Sequence, residues 1–291
     1  MKKKILLTGA NGQLGSELQQ LAPAYPQFQF LPTDVATLNL CDKMELTSFF
    51  DKHPINYVVN CAAYTAVDKA ENEVEICYGI NRDAVQNLAE ATQKQTRIIH
   101  ISTDYVFDGA GSTPLKESDP TNPQSVYGKS KLAGEQALMK TKPESIIIRT
   151  AWLYSSFGSN FVKTMLRLAT ERSELNVVCD QYGAPTYAAD LAQAILSMIV
   201  RAEETGSFPA GIYHYSNAGI TNWFEFAQKI LQLAGVTTCA VHPIPTDRYP
   251  SVALRPEYSV LDKSKIVERF GIVVPAWEES LRRCIRLLNS I

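Results

Sequence analysis

A tyrosine and a lysine four residues apart, Tyr127 and Lys131, stand in the stretch Val126-Tyr127-Gly128-Lys129-Ser130-Lys131-Leu132-Ala133-Gly134-Glu135. On a helix this spacing puts both side chains on one face, about 6 Å apart along the axis, so they reach the same small volume. A free phenol, with a pKa of about 10, exchanges its proton poorly at neutral pH, and a neighbouring ammonium stabilises the phenolate and lowers that value. The pair therefore reads as an acid with its tuner. Taken alone, the spacing is a common accident, and an amphipathic helix with Lys131 in water accounts for it.

The elements upstream bear on that choice. Lys4 to Thr8 reads as a short apolar strand, and Gly9-Ala10-Asn11-Gly12-Gln13-Leu14-Gly15 opens a helix through Ser16-Glu17-Leu18. Glycines let the backbone turn sharply and approach a pyrophosphate, whose charge is met by the N–H groups at the helix start. The spacing Gly-x-x-Gly-x-x-Gly departs from the commoner dinucleotide fingerprint, and turns also collect glycine. A strand before the loop and a helix after it favour the phosphate cradle.

A second strand, about Phe28 to Pro32, ends at Thr33-Asp34, where a carboxylate would accept hydrogen bonds from an adenosine ribose. Asp34 favours NADH, because it repels the 2′-phosphate of NADPH and no arginine follows to neutralise it. A turn or helix cap is the other reading of an aspartate here. Asn39-Leu40-Cys41-Asp42 begins the next helix, at a turn that would lie against adenine. Tyr57 to Asn60 forms a third strand, and Cys61-Ala62-Ala63-Tyr64 at its end leaves room for a cofactor to pass the backbone.

A helix is predicted from about Glu73 to Lys94, then a fourth strand, Arg97 to Ile101, ending in Ser102-Thr103-Asp104-Tyr105. Ligands of doubly wound sheets collect at the carboxyl ends of strands, so Thr103 stands where its hydroxyl could hold a substrate oxygen, or could simply cap a turn. A loop from Asp108 to Pro123 precedes the Tyr127 helix, and Ser145 to Arg149 is the fifth strand. The βαβ series implies an α/β fold: a Rossmann-type doubly wound parallel sheet over residues 1–153, with a smaller mixed α/β lobe over 154–291. Some segments of that lobe return to the first domain. Its helices are predicted at about 160–171, 188–202, 222–234 and 276–289.

Composition narrows the function classes. The 291 residues are 45% apolar, and 28 Lys plus Arg nearly balance 30 Asp plus Glu, so no basic field points to nucleic acid or a membrane surface. The lysines at the start precede only Ile5-Leu6-Leu7, too short for a signal-peptide core or membrane span, which predicts a cytoplasmic protein. Six cysteines without Cys-x-x-Cys spacing, and four histidines unrelated to them, argue against a structural zinc and for mostly buried thiols.

Glycine loop, ribose carboxylate, strand-end threonine and Tyr-x-x-x-Lys come in the order of the extended short-chain dehydrogenases, which the chain resembles. Asn60-Cys61-Ala62-Ala63-Tyr64-Thr65-Ala66-Val67-Asp68-Lys69-Ala70-Glu71, Ser102 to Phe107 and Asp180-Gln181-Tyr182-Gly183-Ala184-Pro185-Thr186 narrow it to the dTDP-4-dehydrorhamnose reductase family. So do Arg149-Thr150-Ala151-Trp152, Asn160 to Leu166 and Arg255-Pro256. The resemblance implies an NADPH- or NADH-dependent reduction of the C4 ketone of a dTDP-6-deoxy sugar, giving dTDP-L-rhamnose. It implies Tyr127, Lys131 and Thr103 as catalytic residues, with Lys131 lowering the Tyr127 pKa and holding the nicotinamide ribose. It places Gly9, Gly12, Gln13, Leu14 and Gly15 at the pyrophosphate, Asp34, Asn39 and Leu40 near the adenosine, and Ala62, Ala63 and Tyr64 along the cofactor. Thr103, Asp104, Tyr127 and Trp152 would meet the sugar, and Arg255 the diphosphate.

Two departures stand out. Relatives that dimerise around magnesium carry a glutamate where this chain has Ala189, so although Glu17 is present a monomer or weak homodimer is expected. Tyr258 replaces the family's more usual asparagine. Other readings remain at this stage: an epimerase or dehydratase on the same scaffold, a non-catalytic regulatory subunit that binds NADP, or a nucleotide-binding sensor. The dehydratase reading lacks the complete acidic pair beside Thr103, which is followed by Asp104 and Tyr105.

Overall fold

The structure is a computed structural model describing residues 2–289. Five strands, β1 (Lys3–Thr8), β2 (Phe28–Pro32), β3 (Tyr57–Asn60), β4 (Arg97–Thr103) and β5 (Ile146–Thr150), form a parallel sheet with a sixth, Gly211–His214. Across the sheet the order runs from Gly211–His214 through β5, β4, β3 and β1 to β2. All residues of β3 and β5 are buried, as expected of strands covered on both faces. Leu7, Val59, Ile99 and Ile148 pack toward the helix Ala188–Thr205, while Leu6, Val58, Ile98 and Ile147 face Leu46, Phe50 and Leu88 on the other side. β1 lies between β2 and β3, so the order reverses there and opens a crevice at the carboxyl ends of the strands.

A second core gathers Val162, Met165, Phe226, Ile230, Trp277 and Leu281. They come from the helices Phe161–Glu171, Trp223–Ala234 and Trp277–Leu288, which lie beside a parallel pair of strands, Glu174–Val178 and Ala240–Ile244. Half of the six cysteines are buried, Cys77, Cys239 and Cys284; Cys41 is exposed.

The continuous helix expected from Glu73 to Lys94 is instead Val74–Tyr78, a π-turn at Gly79–Asp83 and Ala84–Ala91. The reason lies in Asn81, which is fully buried. Its Oδ1 accepts from Tyr64 N at 2.9 Å, and its Nδ2 donates to Tyr64 O at 3.1 Å and Ser130 Oγ at 2.9 Å. The opposing helix Val126–Thr141 presses against this bulge: a Cβ on Gly134 would lie 2.0 Å from Asn81 O. Ser125 caps that helix by accepting from Gly128 N at 3.1 Å, and Pro143 follows its end.

The same helix carries Glu135, buried and paired with Arg149 of β5 through Nε–Oε1 at 2.9 Å and Nη2–Oε2 at 2.7 Å. Ser102 Oγ donates to Glu135 Oε1 at 2.5 Å, and the guanidinium lies 5.1 Å from the centroid of the Phe107 ring. Removing one partner leaves a charge uncompensated in the interior. Glu135→Ala should therefore destabilise the fold by about 3–5 kcal/mol in urea unfolding. Glu171→Ala, which breaks the exposed Arg167–Glu171 pair, should cost less than about 1 kcal/mol; comparable losses would contradict the importance given to burial.

Candidate active site

A cavity of about 790 Å³ runs from the glycine loop and Asp34, past the ends of β3 and β4, to Trp152 and Asn160. At one end, Gly9 adopts φ 62°, and a Cβ there would stand 2.7 Å from Ala62 N. Only glycine lets β1 turn this tightly beside β3. Gly12 caps the helix Gln13–Leu21 without a side chain, and no acidic residue occupies its first turn, so the leading N–H groups can take a phosphate. Asp34 is tied to the loop: Oδ2 accepts from Asn11 N at 3.1 Å and Oδ1 from Val35 N at 2.8 Å. The cradle that a Cβ would fill, the open helix start and the carboxylate at the next strand end fit a nicotinamide dinucleotide. Among the described residues, the one Lys or Arg lining this cavity is Lys131, which stands with Tyr127 and Thr103 and not with the glycine loop.

At the other end, Tyr127, Lys131, Thr103 and Asp104 meet on the cavity wall. Lys131 is buried, and its Nζ donates to Ile101 O at 2.7 Å. Burial holds its pKa down to about 8, against the opposing pull of Glu135 one turn on. Burial pushes the Tyr127 phenol upward; a hydrogen bond with Thr103 opposes this, and the Asp104 carboxylate and Tyr105 add to the rise. The expectation that Lys131 lowers this pKa is therefore corrected: the displacement is upward with burial its largest cause, and the Lys131 ammonium donates to a backbone carbonyl. Tyr127 keeps its proton at neutral pH, the state an acid needs. Tyr105 meets its ring edge-on at 5.4 Å.

Thr103 Oγ1 donates to Asp104 Oδ1 at 3.0 Å and accepts from Tyr105 N at 3.2 Å. Asp104 is buried and its Oδ2 has no hydrogen-bond partner. Burial pushes its pKa up to about 6, against the lowering influence of the nearby Ser259 and Thr103 hydroxyls. A buried acceptor left open beside Tyr127 suits a polyhydroxylated ligand.

The cavity brings together Gly9, Gly12, Gln13, Leu14, Gly15, Asp34, Asn39, Leu40, Ala62, Ala63, Thr103, Asp104, Tyr127, Lys131 and Trp152. Two expected residues do not line it. Tyr64 turns aside, its hydroxyl donating to Glu73 Oε2 at 2.6 Å and its backbone held by Asn81. Arg255 lines an adjoining cavity of about 270 Å³ that shares Tyr105. Its Nη2 donates to Asp68 Oδ2 at 2.6 Å and its Nη1 to Tyr105 Oη at 3.4 Å.

Asn160 also lines the main cavity, a place that its sequence context does not mark, although it begins a stretch that carries the family resemblance. Its Nδ2 donates to Gln13 Oε1 at 3.0 Å, joining the second lobe to the glycine loop across 147 positions of sequence. An asparagine before an apolar helical run signals a cap, and its side chain does accept from Lys163 N at 3.1 Å. Its contact with Gln13 has no sequence signal.

The family described as RmlD substrate binding domain matches residues 2–290. The dTDP-4-dehydrorhamnose reductase of Aggregatibacter actinomycetemcomitans is 41% identical over 289 residues, covering 96% of this chain and 97% of its own. The crystal structure of a dTDP-4-dehydrorhamnose reductase from Clostridium acetobutylicum ATCC 824 is similar with a TM-score of 0.92 and 43% identity, over 98% of this chain and 99% of that one. Another, from Bacillus anthracis str. Ames in complex with NADP, has a TM-score of 0.90 and 38% identity, over 99% of this chain and 100% of its own.

Asp104 gives the site a pH signature. Between the ordinary carboxylate range and about 6, the folded chain retains a proton that the unfolded chain releases. Its contribution to stability is thus full at low pH and is lost as pH rises through about 6. Asp104→Asn, which cannot ionise, should exceed the parent in stability at neutral pH by on the order of 2 kcal/mol, with the gap closing toward pH of about 4. Thermal unfolding across this range measures the gap, and a pH-independent difference would place the proton elsewhere.

Proposed function

The chain belongs to the dTDP-4-dehydrorhamnose reductase family, and on that premise we propose how its own residues carry out the reaction. It is an NAD(P)H-dependent oxidoreductase that reduces the C4 ketone of dTDP-6-deoxy-L-lyxo-4-hexulose to dTDP-L-rhamnose, the last step of dTDP-rhamnose synthesis. The observation that carries the assignment of roles is the meeting of Tyr127, Thr103 and Lys131 on one wall of a cavity whose far end is the glycine loop with Asp34.

When bound, the nicotinamide supplies the hydride that adds to C4. Negative charge grows on the carbonyl oxygen, and a donor in contact with that oxygen lowers the barrier. Tyr127 gives its phenolic proton to it. What supports this is burial, which keeps the phenol protonated until charge develops beside it. Thr103, whose Oγ1 accepts from the Tyr105 backbone, turns its hydroxyl proton from Asp104 Oδ1 to the same oxygen when the sugar is bound. Lys131 supplies positive charge and holds the ribose next to the reacting ring. Asp104 accepts from a sugar hydroxyl through its open Oδ2. Gly9, Gly12, Gln13, Leu14 and Gly15 hold the pyrophosphate; Asp34, Asn39 and Leu40 hold the adenosine; Ala62 and Ala63 border the cofactor's path.

Arg255 serves the diphosphate by exchanging Asp68 for the ligand, and the adjoining cavity supports that placement. Tyr64 supports the cofactor strand end through its backbone. A monomer or weak homodimer is part of the same reading: Ala189 offers no ligand, and Glu17 is buried with an oxygen 2.6 Å from Ser155 Oγ. So is a cytoplasmic location; among the described residues no helix is long and apolar enough to cross a membrane.

Tyr127→Phe should lower kcat about 10²–10⁴-fold, the usual weight of a positioned proton donor, while dinucleotide affinity is preserved. The measurement is oxidation of the reduced cofactor with freshly made hexulose, with the product identified as dTDP-L-rhamnose. Absence of turnover by the parent chain, despite cofactor binding, would sink the assignment. Asp34 predicts a higher kcat/KM with NADH than with NADPH. Asp34→Ala should move that ratio toward NADPH by on the order of ten-fold or more, because it removes a like-charge contact; an unmoved ratio would detach Asp34 from the ribose.

A further inference from the structure

Trp152 is, among the described residues, the one residue other than glycine in the left-handed region, at φ 48°. A bulky side chain keeps that backbone only where its surroundings impose it. Its indole lies flat on that of Trp223, with ring centroids 3.7 Å apart and planes 13° from parallel. Phe161 backs Trp223 at 4.6 Å. Gly183 provides a second contact: a Cβ there would stand 2.7 Å from Trp152 Cε2, so any other residue would displace the indole.

These two neighbours belong to one small device. Thr221–Asn222 pairs antiparallel with Tyr182–Gly183, and Trp223 follows at once as the first residue of the helix Trp223–Ala234. Asn222 caps that helix by accepting from Glu225 N at 2.9 Å. The hairpin-like pairing thus fixes the spacing between Trp223 and Gly183. Trp152 borders the main cavity, whereas neither Trp223 nor Gly183 is part of its lining.

We infer that Trp223 and Gly183 form a clamp that holds Trp152 as the wall against which the sugar of the substrate packs. Trp223 is then a positioning residue, setting affinity for the sugar nucleotide while touching neither sugar nor cofactor. The inference rests on the proposed function and on the sugar contact that the family resemblance implies for Trp152.

The test compares KM for the sugar nucleotide and for the dinucleotide in four variants of the full chain. Trp223→Leu removes the flat partner, and Trp223→Phe keeps a ring. Gly183→Ala, at a position whose backbone is not left-handed, pushes on the indole without altering the helix. Trp152→Ala removes the wall itself. Trp223→Leu and Gly183→Ala should each raise the sugar-nucleotide KM roughly ten-fold or more, the scale of loss from a misplaced positioning group. The dinucleotide KM should stay at its parental value, and Trp223→Phe should remain close to the parent. If Trp223→Leu does not fold, Gly183→Ala decides by the same split. A raised sugar KM in Trp152→Ala, with parental values in Trp223→Leu and Gly183→Ala, overturns the clamp and leaves the sugar contact standing. A parental sugar KM in Trp152→Ala removes the wall and the inference with it. Equal losses for both substrates would mean general distortion and also overturn it.

Discussion

Keeping an ammonium out of water is costly, and much of the geometry around the site follows from how that cost is met at Lys131. The side chain has one hydrogen bond, to Ile101 O of β4, and an acidic residue one helical turn away, Glu135. Glu135 is claimed in turn by Arg149 of β5 and Ser102 of β4. Two buried cations thus share Glu135, and the buried Asp104 carboxylate just beyond the end of β4 is a second anion of the same interior. Lys131 lines the cavity, where its charge favours an oxygen that gains charge during reaction. The arrangement also requires the helix Val126–Thr141 to lie against the sheet, while Gly134 lets the same helix close on the Asn81 carbonyl of the neighbouring π-turn.

Strain and unmet polarity collect at the same place. The Asp104 carboxylate is buried with one oxygen unpaired, and Trp152 is held in a backbone conformation that indole-bearing residues avoid. Neither helps the chain fold. Both place groups where a ligand can use them, which is the usual reason such features persist in otherwise well-packed structures. The phenol of Tyr127 follows the same logic: burial holds it in the protonic form that the proposed donor role requires.

What was legible in the sequence was local. The strands around Lys4, Phe28, Tyr57, Arg97 and Ile146 show as apolar runs, and the glycine loop and the Tyr127–Lys131 spacing each sit within one turn of chain. The parallel α/β class follows from their alternation. Contacts between distant segments were not legible. Nothing near Glu135 announces Arg149, and the π-turn depends on a buried Asn81 that meets Tyr64 and Ser130. Tyr64 sits at the right strand end, yet its hydroxyl is drawn off by Glu73. The sign of the Tyr127 shift is illegible for a similar reason, because spacing reveals a neighbouring charge but not the depth of burial.

The sixth strand has a consequence for how the molecule is made. Gly211–His214 hydrogen-bonds to β5, which is complete more than sixty residues earlier in synthesis. The helix Ala188–Thr205, whose Leu191, Ile195 and Ile199 cover one face of the sheet, also emerges after all five other strands. A nascent chain leaving the ribosome therefore carries a sheet face covered only in part, by Leu14 and Leu18 of the helix Gln13–Leu21, and an unpaired edge on Ile146–Thr150 until the second half arrives. During that interval an open β edge beside apolar surface invites self-association. Chaperone protection would matter most for chains stalled between the fifth strand and the sixth.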